Sequence, residues 1–399
     1  MRRLLLNFRS LLRSIASLPA IIFLVFCAVA VLQLALADDD LDLPGTLGRL
    51  NIQDLDTIRA TLAAVITGVF TLTIFAYTMV MNVIDRSIGS YSPRLLPLIL
   101  SERYHQEILG VGAGTIAHST ILLLGVAEPP DAVAPPPLAA ASAGLFAVLS
   151  LILFIYFIHR VSRSIHINAL LYKSYCHTRK QLDKLAARKK RLVWADRSAD
   201  TPSGTYLTAR RCGYFNEVDS EGLLRHGGVE EVLARPGAFV YQGDPILRFS
   251  AGAPERRGGV DGYFKISEDE PIDVYAIGFR HLVEVAIKAA SPALNDPATA
   301  LTAMHYLVQL FERLAPVGRF NALRSEEGLV LLHVSAWTPA DLLSNCYGEL
   351  RRYLSEDPWG IDAMRDGLQR LASTYGEAGD HLTAAAARKE LSLLEATAK

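Results

Sequence analysis

Cysteine is scarce in this chain, and its spacing excludes the commonest cysteine-based sites. The four cysteines, Cys27, Cys176, Cys212 and Cys346, are widely separated and form no C-x-x-C pair. One lies in an apolar run and the others are scattered, so neither a structural metal site nor a disulfide framework is expected. We expect no metal and no cofactor, and we interpret the cysteines as packing residues in a reducing compartment.

The short motifs of common catalytic chemistries are also missing. The sequence has no nucleophile elbow, no phosphate-binding glycine loop and no metal-ligand spacing. We therefore expect that the protein is not an enzyme and that it has no catalytic residue. The alternative is a membrane-bound enzyme that uses Asp296, His281, Glu284 or His305 as acid–base groups.

Aspartate, glutamate, lysine and arginine are absent from four long stretches rich in Leu, Ile, Val, Ala and Phe. These stretches are residues 15–37, 60–83, 108–126 and 138–158. About 20 helical residues cross the roughly 30 Å hydrocarbon core of a bilayer. The sequence therefore predicts an all-α, four-helix transmembrane bundle over residues 1–159.

The segments between these stretches alternate in charge. The N-terminal segment, the second connection and the segment after residue 158 are rich in arginine or lysine. The first connection is strongly acidic, and the third has no basic residue. By the positive-inside rule, both termini and the C-terminal domain are expected to lie in the cytoplasm. The Ala35-Leu36-Ala37 sequence resembles a signal-peptidase site, but the apolar stretch before it is long, so we favour a retained anchor.

A few polar side chains within the four stretches are candidates for lining a pore. They are Thr71, Thr78, Asn82 and His118. Hydroxyl groups in a helix can instead bond to their own backbone, and no stretch has the central charge that marks many transport pathways. A passive channel and ordinary helix packing therefore both stay open.

Gly110 and Gly114 place small residues on one face of the third stretch, where they permit close helix approach. This face is either an oligomer interface or a packing surface inside the bundle.

A basic juxtamembrane helix is predicted for residues 160–195. Arg160, Arg163 and Lys173 are its candidates for contact with anionic lipid headgroups, and a solvated basic face is the alternative. The basic residues of this helix cluster beside the membrane, and the sequence has no recognised nucleic-acid-binding motif. No nucleic-acid partner is therefore expected.

Residues 196–205 are polar and small and predict a linker, followed by a cytoplasmic α+β domain at 206–399. The stretch "VEEVLARPGAFVYQGDPILRF" predicts three strands separated by turns at Gly237 and Gly243, as in a small β-sandwich. Its spacing resembles the half-barrel of biotinyl and lipoyl carrier domains. No lysine occurs between Lys190 and Lys265, so a swinging-arm role is not expected. Helices starting near Pro339, Gly360 and Ala378 predict a helical C-terminus.

The stretch "SPALNDPATA" at 291–300 interrupts a region that otherwise predicts continuous helix. The Ser-Pro pair ends one helix, and Asn-Asp-Pro caps the next. We also place His281 and Glu284 on the polar face of the preceding helix. The turn is either a plain helix stop and restart or a ligand or interface site. Its candidate residues are Ser291, Asn295, Asp296 and Thr299, with His281 and Glu284 nearby.

Four pieces of the sequence resemble the bacterial membrane-protein family catalogued as domain of unknown function 2254. They are "YSPRLLPLILSER", "RPGAFVYQGDPI", "IGFRHLVEVAIKAASPALNDPATA" and "ELRRYLSEDP". The resemblance implies a multi-pass inner-membrane protein with a large cytoplasmic domain. It implies no activity, cofactor or catalytic residue.

The function that we predict is an oligomeric channel or transport-related protein that is gated by its cytoplasmic domain. The alternative is a membrane-anchored cytoplasmic ligand sensor or scaffold. Both readings predict contact with the lipid bilayer, a homo-oligomer, and a small ligand or ion as partner.

Overall fold

A computed structural model describes most of the chain. It covers residues 17–36, 52, 54–90, 103–126, 138–164, 167–195, 205–250, 259–325, 328, 331–354 and 356–397. The chain divides into two compact units. The first is Met1–Ser87 with Leu96–His166, and the second is Ile88–Leu95 with Ile167–Lys399.

The first unit consists of long apolar helices. They are α1 (Ser17–Ala35), α2 (Leu55–Ser90), α3 (Arg103–Gly125) and α4 (Ala139–Ser164). All four are long and apolar enough to cross a membrane, as the sequence predicts. Helix α3 packs against both α1 and α4.

Glycines on α3 explain its close approach to α1. A Cβ atom at Gly114 would lie 2.8 Å from Cγ of Phe26, and one at Gly110 would lie 3.0 Å from Cδ1 of Ile22. Any larger side chain at these positions would push the two helices apart. The sequence left this face as either an oligomer interface or a packing surface inside the bundle. Its contacts with Phe26 and Ile22 of the same chain are those of a packing surface.

The second unit contains seven helices and nine strands among the residues that the structure describes. Its helices are α5 (Ile167–Ala187), α6 (Ser220–His226), α7 (Tyr275–Ala289), α8 (Pro297–Leu314), α9 (Pro339–Leu354), α10 (Pro358–Glu377) and α11 (His381–Thr397). Its strands are β1 (Leu192–Val193), β2 (Thr205–Thr208), β3 (Gly213–Val218), β4 (Val229–Val232), β5 (Phe239–Val240), β6 (Pro245–Phe249), β7 (Phe264–Ser267), β8 (Ala322–Arg324) and β9 (Leu331–Val334).

These strands form two small sheets. A six-stranded sheet has the order β1-β8-β9-β4-β6-β2, and a three-stranded sheet has the order β5-β3-β7. Within the larger sheet β4 pairs with β9 in parallel, and its other pairs are antiparallel. Buried aromatic and aliphatic residues of both sheets share one core, including Phe215, Leu247 and Phe249.

The three strands predicted in "VEEVLARPGAFVYQGDPILRF" exist, but they divide between the two sheets. β4 and β6 pair with each other, whereas β5 joins β3 in the smaller sheet. The turn at Pro236 and Gly237 redirects the chain, because Pro236 has no amide hydrogen and Gly237 has a φ of +86°. The predicted 196–205 linker lies outside the described residues apart from Thr205, which begins β2.

Helix α7 lies at the centre of the helical part of this unit and packs against α5, α8 and α9. Its apolar residues Phe279, Leu282 and Val285 are buried. The placement of His281 on a polar face is wrong, since the side chain is only 4% exposed. A helix with neighbours on three sides buries residues that a two-faced pattern assigns to solvent.

The C-terminal prediction is confirmed with small shifts in boundaries. Helix α9 starts at Pro339 as predicted, and α10 and α11 start within three residues of the predicted positions. The short helix α6 is absent from the sequence-based prediction. Asp219 caps it, accepting a hydrogen bond from Gly222 N at 2.9 Å.

Candidate functional site

The turn between α7 and α8 is a helix stop followed by a capped helix start. The Asp296 carboxylate accepts hydrogen bonds from the Thr299 amide at 3.1 Å and from the Thr299 hydroxyl at 2.6 Å. The Ser291 hydroxyl donates to the Lys288 carbonyl at 2.6 Å, and Pro297 occupies the first turn of α8.

Backbone hydrogen bonds close the same turn. The amide of Asn295 donates to Ser291 O, and the amide of Asp296 donates to Ala289 O, both at 2.8 Å. Asn295 has a φ of +47°, a left-handed conformation that asparagine tolerates better than most residues. The local hydrogen bonds therefore account for the composition of the turn, and a ligand or interface role for it stays a prediction.

His281 and Glu284 lie on α7, before the turn. His281 is buried, and Glu284 Oε1 lies 3.5 Å from Nε of Arg280. Glu284 thus belongs to an ion-pair cluster around Arg280, next to the cavity described below.

The candidate pore-lining residues do not converge within the first unit. Thr71, Thr78 and Asn82 are exposed on α2, whereas His118 is completely buried on α3. Both threonine hydroxyls donate to the carbonyl four residues earlier, at 2.8 and 2.9 Å. Nε2 of His118 lies 3.0 Å from Oε1 of Gln33, so this histidine joins α3 to α1.

The candidate lipid-contacting residues lie on two helices. Arg160 is exposed on α4, and Lys173 is half-buried on α5. Arg163 belongs to α4, but its side chain lies outside the described part of the chain.

A cavity of about 500 Å³ in the second unit was not predicted from the sequence. It lies among β3, the turn before β5, the first turns of α7, the segment after β9, and α9. Its polar and aromatic lining residues are Tyr214, Arg235, Phe239, Arg280, Ser335, Trp337, Asn345 and Glu349. The volume falls in the range of cavities that bind small molecules.

The Pro-Gly turn builds one wall of this cavity. Gly237 N donates to Phe215 O, and Phe215 N donates to Ala238 O, both at 2.8 Å. A Cβ atom at Gly237 would lie 3.1 Å from Cδ1 of Ile277 on α7. A glycine at this position therefore satisfies both the positive φ and the close approach of α7.

Arg235 and Trp337 form a stacked pair in the wall. The guanidinium carbon of Arg235 lies 4.2 Å from the centre of the Trp337 ring, well within cation–π range. The Tyr275 hydroxyl donates to the Trp337 carbonyl at 3.3 Å and helps to hold this segment in place. Burial raises the pKa of Tyr275, although the nearby Arg235 charge opposes the shift, so the phenol stays a donor at neutral pH.

Arg280 is the second arginine of the cavity, and two carboxylates offset its charge. Its Nη1 lies 3.2 Å from Oε1 of Glu270, and its Nε lies 3.5 Å from Oε1 of Glu284. Cys346 also lines the wall. Burial and then the Glu349 charge raise the pKa of its thiol, so the thiol is neutral and a poor nucleophile.

A second cavity of about 400 Å³ adjoins the first and shares Arg235 and Ser335 with it. Its lining includes Trp194, Asn321 and Asp341. The Thr338 hydroxyl donates to Oδ2 of Asp341 at 2.6 Å and accepts from the Asp341 amide at 3.1 Å, which caps α9.

The sequence patterns do not predict this cavity, although three of the four pieces that carry the family resemblance contribute to it. Arg235 opens "RPGAFVYQGDPI", Ile277 and Arg280 lie in "IGFRHL", and Glu349 opens "ELRRYLSEDP". Membership of these three pieces in the family pattern was the only sequence feature that they share, and it does not show that they meet in space. Among the described residues, no group of three or more His, Cys, Asp or Glu side chains could hold a metal ion.

Comparison with curated proteins finds relatives in mycobacteria. Proteins of Mycobacterium tuberculosis and of Mycobacterium bovis, each named only as uncharacterized, are 28% identical over 342 residues. The match covers 80% of this chain and 63% of each relative, so the chain spans less than two thirds of their length. No solved structure matches the chain significantly.

The family is established by a model match over most of the chain. Residues 13–370 match the family described as "Predicted membrane protein (DUF2254)", which confirms the resemblance inferred from the four sequence pieces. The chain belongs to this membrane-protein family.

Proposed function

We propose that this protein is a membrane-anchored sensor that binds a small organic ligand in the 500 Å³ cavity of its second unit. The cavity carries this proposal. It combines an apolar wall, stacked aromatic and guanidinium groups and a few polar side chains, as small-molecule sites commonly do.

Two features of the first unit support an anchoring role for α1–α4. The threonine hydroxyls of α2 bond to their own helix, and His118 bonds across to Gln33 inside the bundle. The threonine hydroxyls are satisfied by their own backbone and His118 is used in helix packing, so these groups leave little to line a path through a single bundle.

The distribution of basic residues supports an orientation for this sensor. We propose that the protein lies in the bacterial inner membrane and that both termini and the second unit face the cytoplasm. The N-terminal segment, the second connection and the segment after residue 158 are the positively charged ones, and such segments stay on the cytoplasmic side. A fluorescent protein fused after Lys399 is then expected to fluoresce, and alkaline phosphatase fused there to be inactive. The reverse pattern contradicts this orientation.

The ligand-binding proposal is tested with the purified full-length protein and a library of small metabolites. At least one compound is expected to raise the thermal unfolding midpoint, because a ligand that binds only the folded state stabilises it. A larger side chain in the cavity wall should abolish this shift. We choose Ala276→Phe, since Ala276 lines the cavity as the second residue of α7.

Ala298→Phe is the matched control. Ala298 is also the second residue of its helix, α8, but it is exposed and does not line the cavity. This variant is expected to keep the ligand-induced shift. A library without any stabilising compound, or an equal shift in Ala276→Phe, contradicts the proposal.

An oligomeric channel is the second candidate function. Thr71, Thr78 and Asn82 follow one another at steps of seven and four residues and are exposed on one face of α2. If copies of the chain assemble with this face inward, their polar groups line a shared path. Ion flux through proteoliposomes is expected to fall in Asn82→Leu, whereas silent proteoliposomes across voltage, tension and pH would exclude the channel.

A further inference from the structure

Arg235 lacks the partners that other half-buried arginines of the second unit have. Its Nε is buried without a hydrogen bond, and it forms no ion pair with any residue that the structure describes. Arg248, Arg191 and Arg351 are also half-buried, and the Nε of Arg248 and of Arg351 likewise has no hydrogen bond. Each of these three arginines nevertheless has a carboxylate oxygen within 3.5 Å, which Arg235 lacks. A half-buried guanidinium without a carboxylate partner has a positive charge that an anionic group of a ligand can pair with.

The stacking on Trp337 leaves the donors of Arg235 available. A cation–π contact uses the face of the guanidinium, whereas its N–H groups point outward in the plane of that group. With the Arg235 guanidinium carbon 4.2 Å above the Trp337 ring, the edge of the guanidinium can donate two parallel hydrogen bonds to one anionic group.

Of the two arginines that line the cavities, Arg235 and Arg280, Arg235 is the one without an ion pair to any described residue. Glu270 and Glu284 lie beside Arg280, and the Asp341 carboxylate accepts from the Thr338 hydroxyl. Glu349 is exposed, and it makes no ion pair with any described residue. Because Arg235 lines both cavities, an anion bound to it can come from a ligand in either one.

The walls of the larger cavity define the rest of the ligand. Tyr214, Phe239, Val283 and Trp337 present aromatic and aliphatic surface, which suits a flat apolar body. We propose that Arg235, held against Trp337, recognises the anionic group of a small organic carboxylate or phosphate monoester with an apolar body. This inference rests on the proposed ligand-binding function of the cavity.

Two matched probes test the anion preference directly. Naphthalene-2-carboxylate is a flat anion, and naphthalene-2-carboxamide has nearly the same shape without the charge. Binding to the full-length protein in detergent is measured by ligand-observed NMR, with empty micelles subtracted. The carboxylate is expected to bind at least about tenfold more tightly than the carboxamide, as a charge-assisted arginine contact provides.

Substitutions of the two arginines locate this preference. Arg235→Gln is expected to weaken carboxylate binding about tenfold and to leave carboxamide binding within about twofold. Arg280→Gln should change carboxylate binding less than about threefold, since its charge is already offset by two carboxylates. An unchanged unfolding midpoint of Arg235→Gln, measured in parallel, shows that the variant is folded.

Each outcome bears on either the anion recognition or the cavity. Equal binding of the two probes, or an unchanged carboxylate affinity in Arg235→Gln, overturns the role of Arg235. If both probes bind, and Ala276→Phe abolishes both while it keeps a cooperative unfolding transition, the cavity function stands even when the anion proposal fails. If neither probe binds, the proposed ligand class is wrong, and the metabolite library decides separately whether the cavity binds a ligand.

Discussion

At the carboxyl end of α7 the Asp296 carboxylate and the Ser291 hydroxyl bond to groups of the 291–299 turn and of α7. Beside the amino end of α7, Arg235 makes no hydrogen bond or ion pair with any described residue. The turn has the more conspicuous sequence, with two prolines and an Asn-Asp pair. Its hydrogen bonds nevertheless serve the backbone that it shapes. Polar residues in a sequence therefore indicate a binding site only when the fold leaves their hydrogen-bonding groups without partners.

The largest expected effect comes from Gly278, which lies on α7 between these two regions. A Cβ atom there would lie 2.8 Å from Cβ of Thr178 on α5 and closer still to its hydroxyl. Because α5 and α7 would have to separate, Gly278→Ala should destabilise the protein by about 1–3 kcal/mol. The measurement is the thermal unfolding midpoint of the full-length protein, with about 2–4 °C expected per kcal/mol.

Gly348→Ala provides the matched control on α9. A Cβ atom at Gly348 has no neighbour within 4 Å among the described atoms, so alanine should stabilise the helix by about 0.5–1 kcal/mol. Thr178→Ala should recover part of the loss in Gly278→Ala. If Gly278→Ala and Gly348→Ala shift the midpoint equally, the contact between α5 and α7 is not as close as described.

The second expected effect is loss of the cap at Asp296. Asp296→Ala removes the acceptor for both the amide and the hydroxyl of Thr299 and should cost about 1 kcal/mol. Asp296→Asn keeps one acceptor oxygen and should lose less. Binding of naphthalene-2-carboxylate should not change in either variant. A loss of binding at unchanged stability would instead show that the turn contributes to ligand binding.

The turn could be predicted from the sequence, and the cavity could not. A helix cap such as Asp296 to Thr299 is decided within four residues, so composition alone identifies it. The cavity brings together Arg235, Arg280, Trp337 and Glu349, which are up to 114 residues apart in the chain. Their meeting depends on tertiary packing, which local patterns do not encode.

The same distinction explains the other successes and failures of prediction. The four apolar helices follow from composition and length alone. The burial of His281 was mispredicted because α7 has neighbours on three sides, and the division of the strands between two sheets was missed because their pairing is non-local.

The third expected effect comes from Asn295, at its left-handed φ of +47°. Asn295→Ala should destabilise the protein by about 1 kcal/mol, because a Cβ-bearing residue without a local polar partner disfavours this conformation. Asn295→Gly should lie within a few tenths of a kcal/mol of the natural protein. If both variants unfold at the same temperature, the backbone conformation of Asn295 is not what selects this residue.

The smallest effect on stability is expected from Arg235→Met. The substitution forfeits a cation–π contact of about 0.5–1 kcal/mol but also removes a buried donor that has no partner among the described residues, a gain of similar size. The unfolding midpoint without ligand should therefore stay nearly constant, in contrast to the fall in Asp296→Ala. Carboxylate binding should be lost, since methionine keeps the packing and removes the donors. A large fall in stability would instead show that Arg235 is structural, because a residue reserved for a ligand contributes its hydrogen bonds only when the ligand is bound.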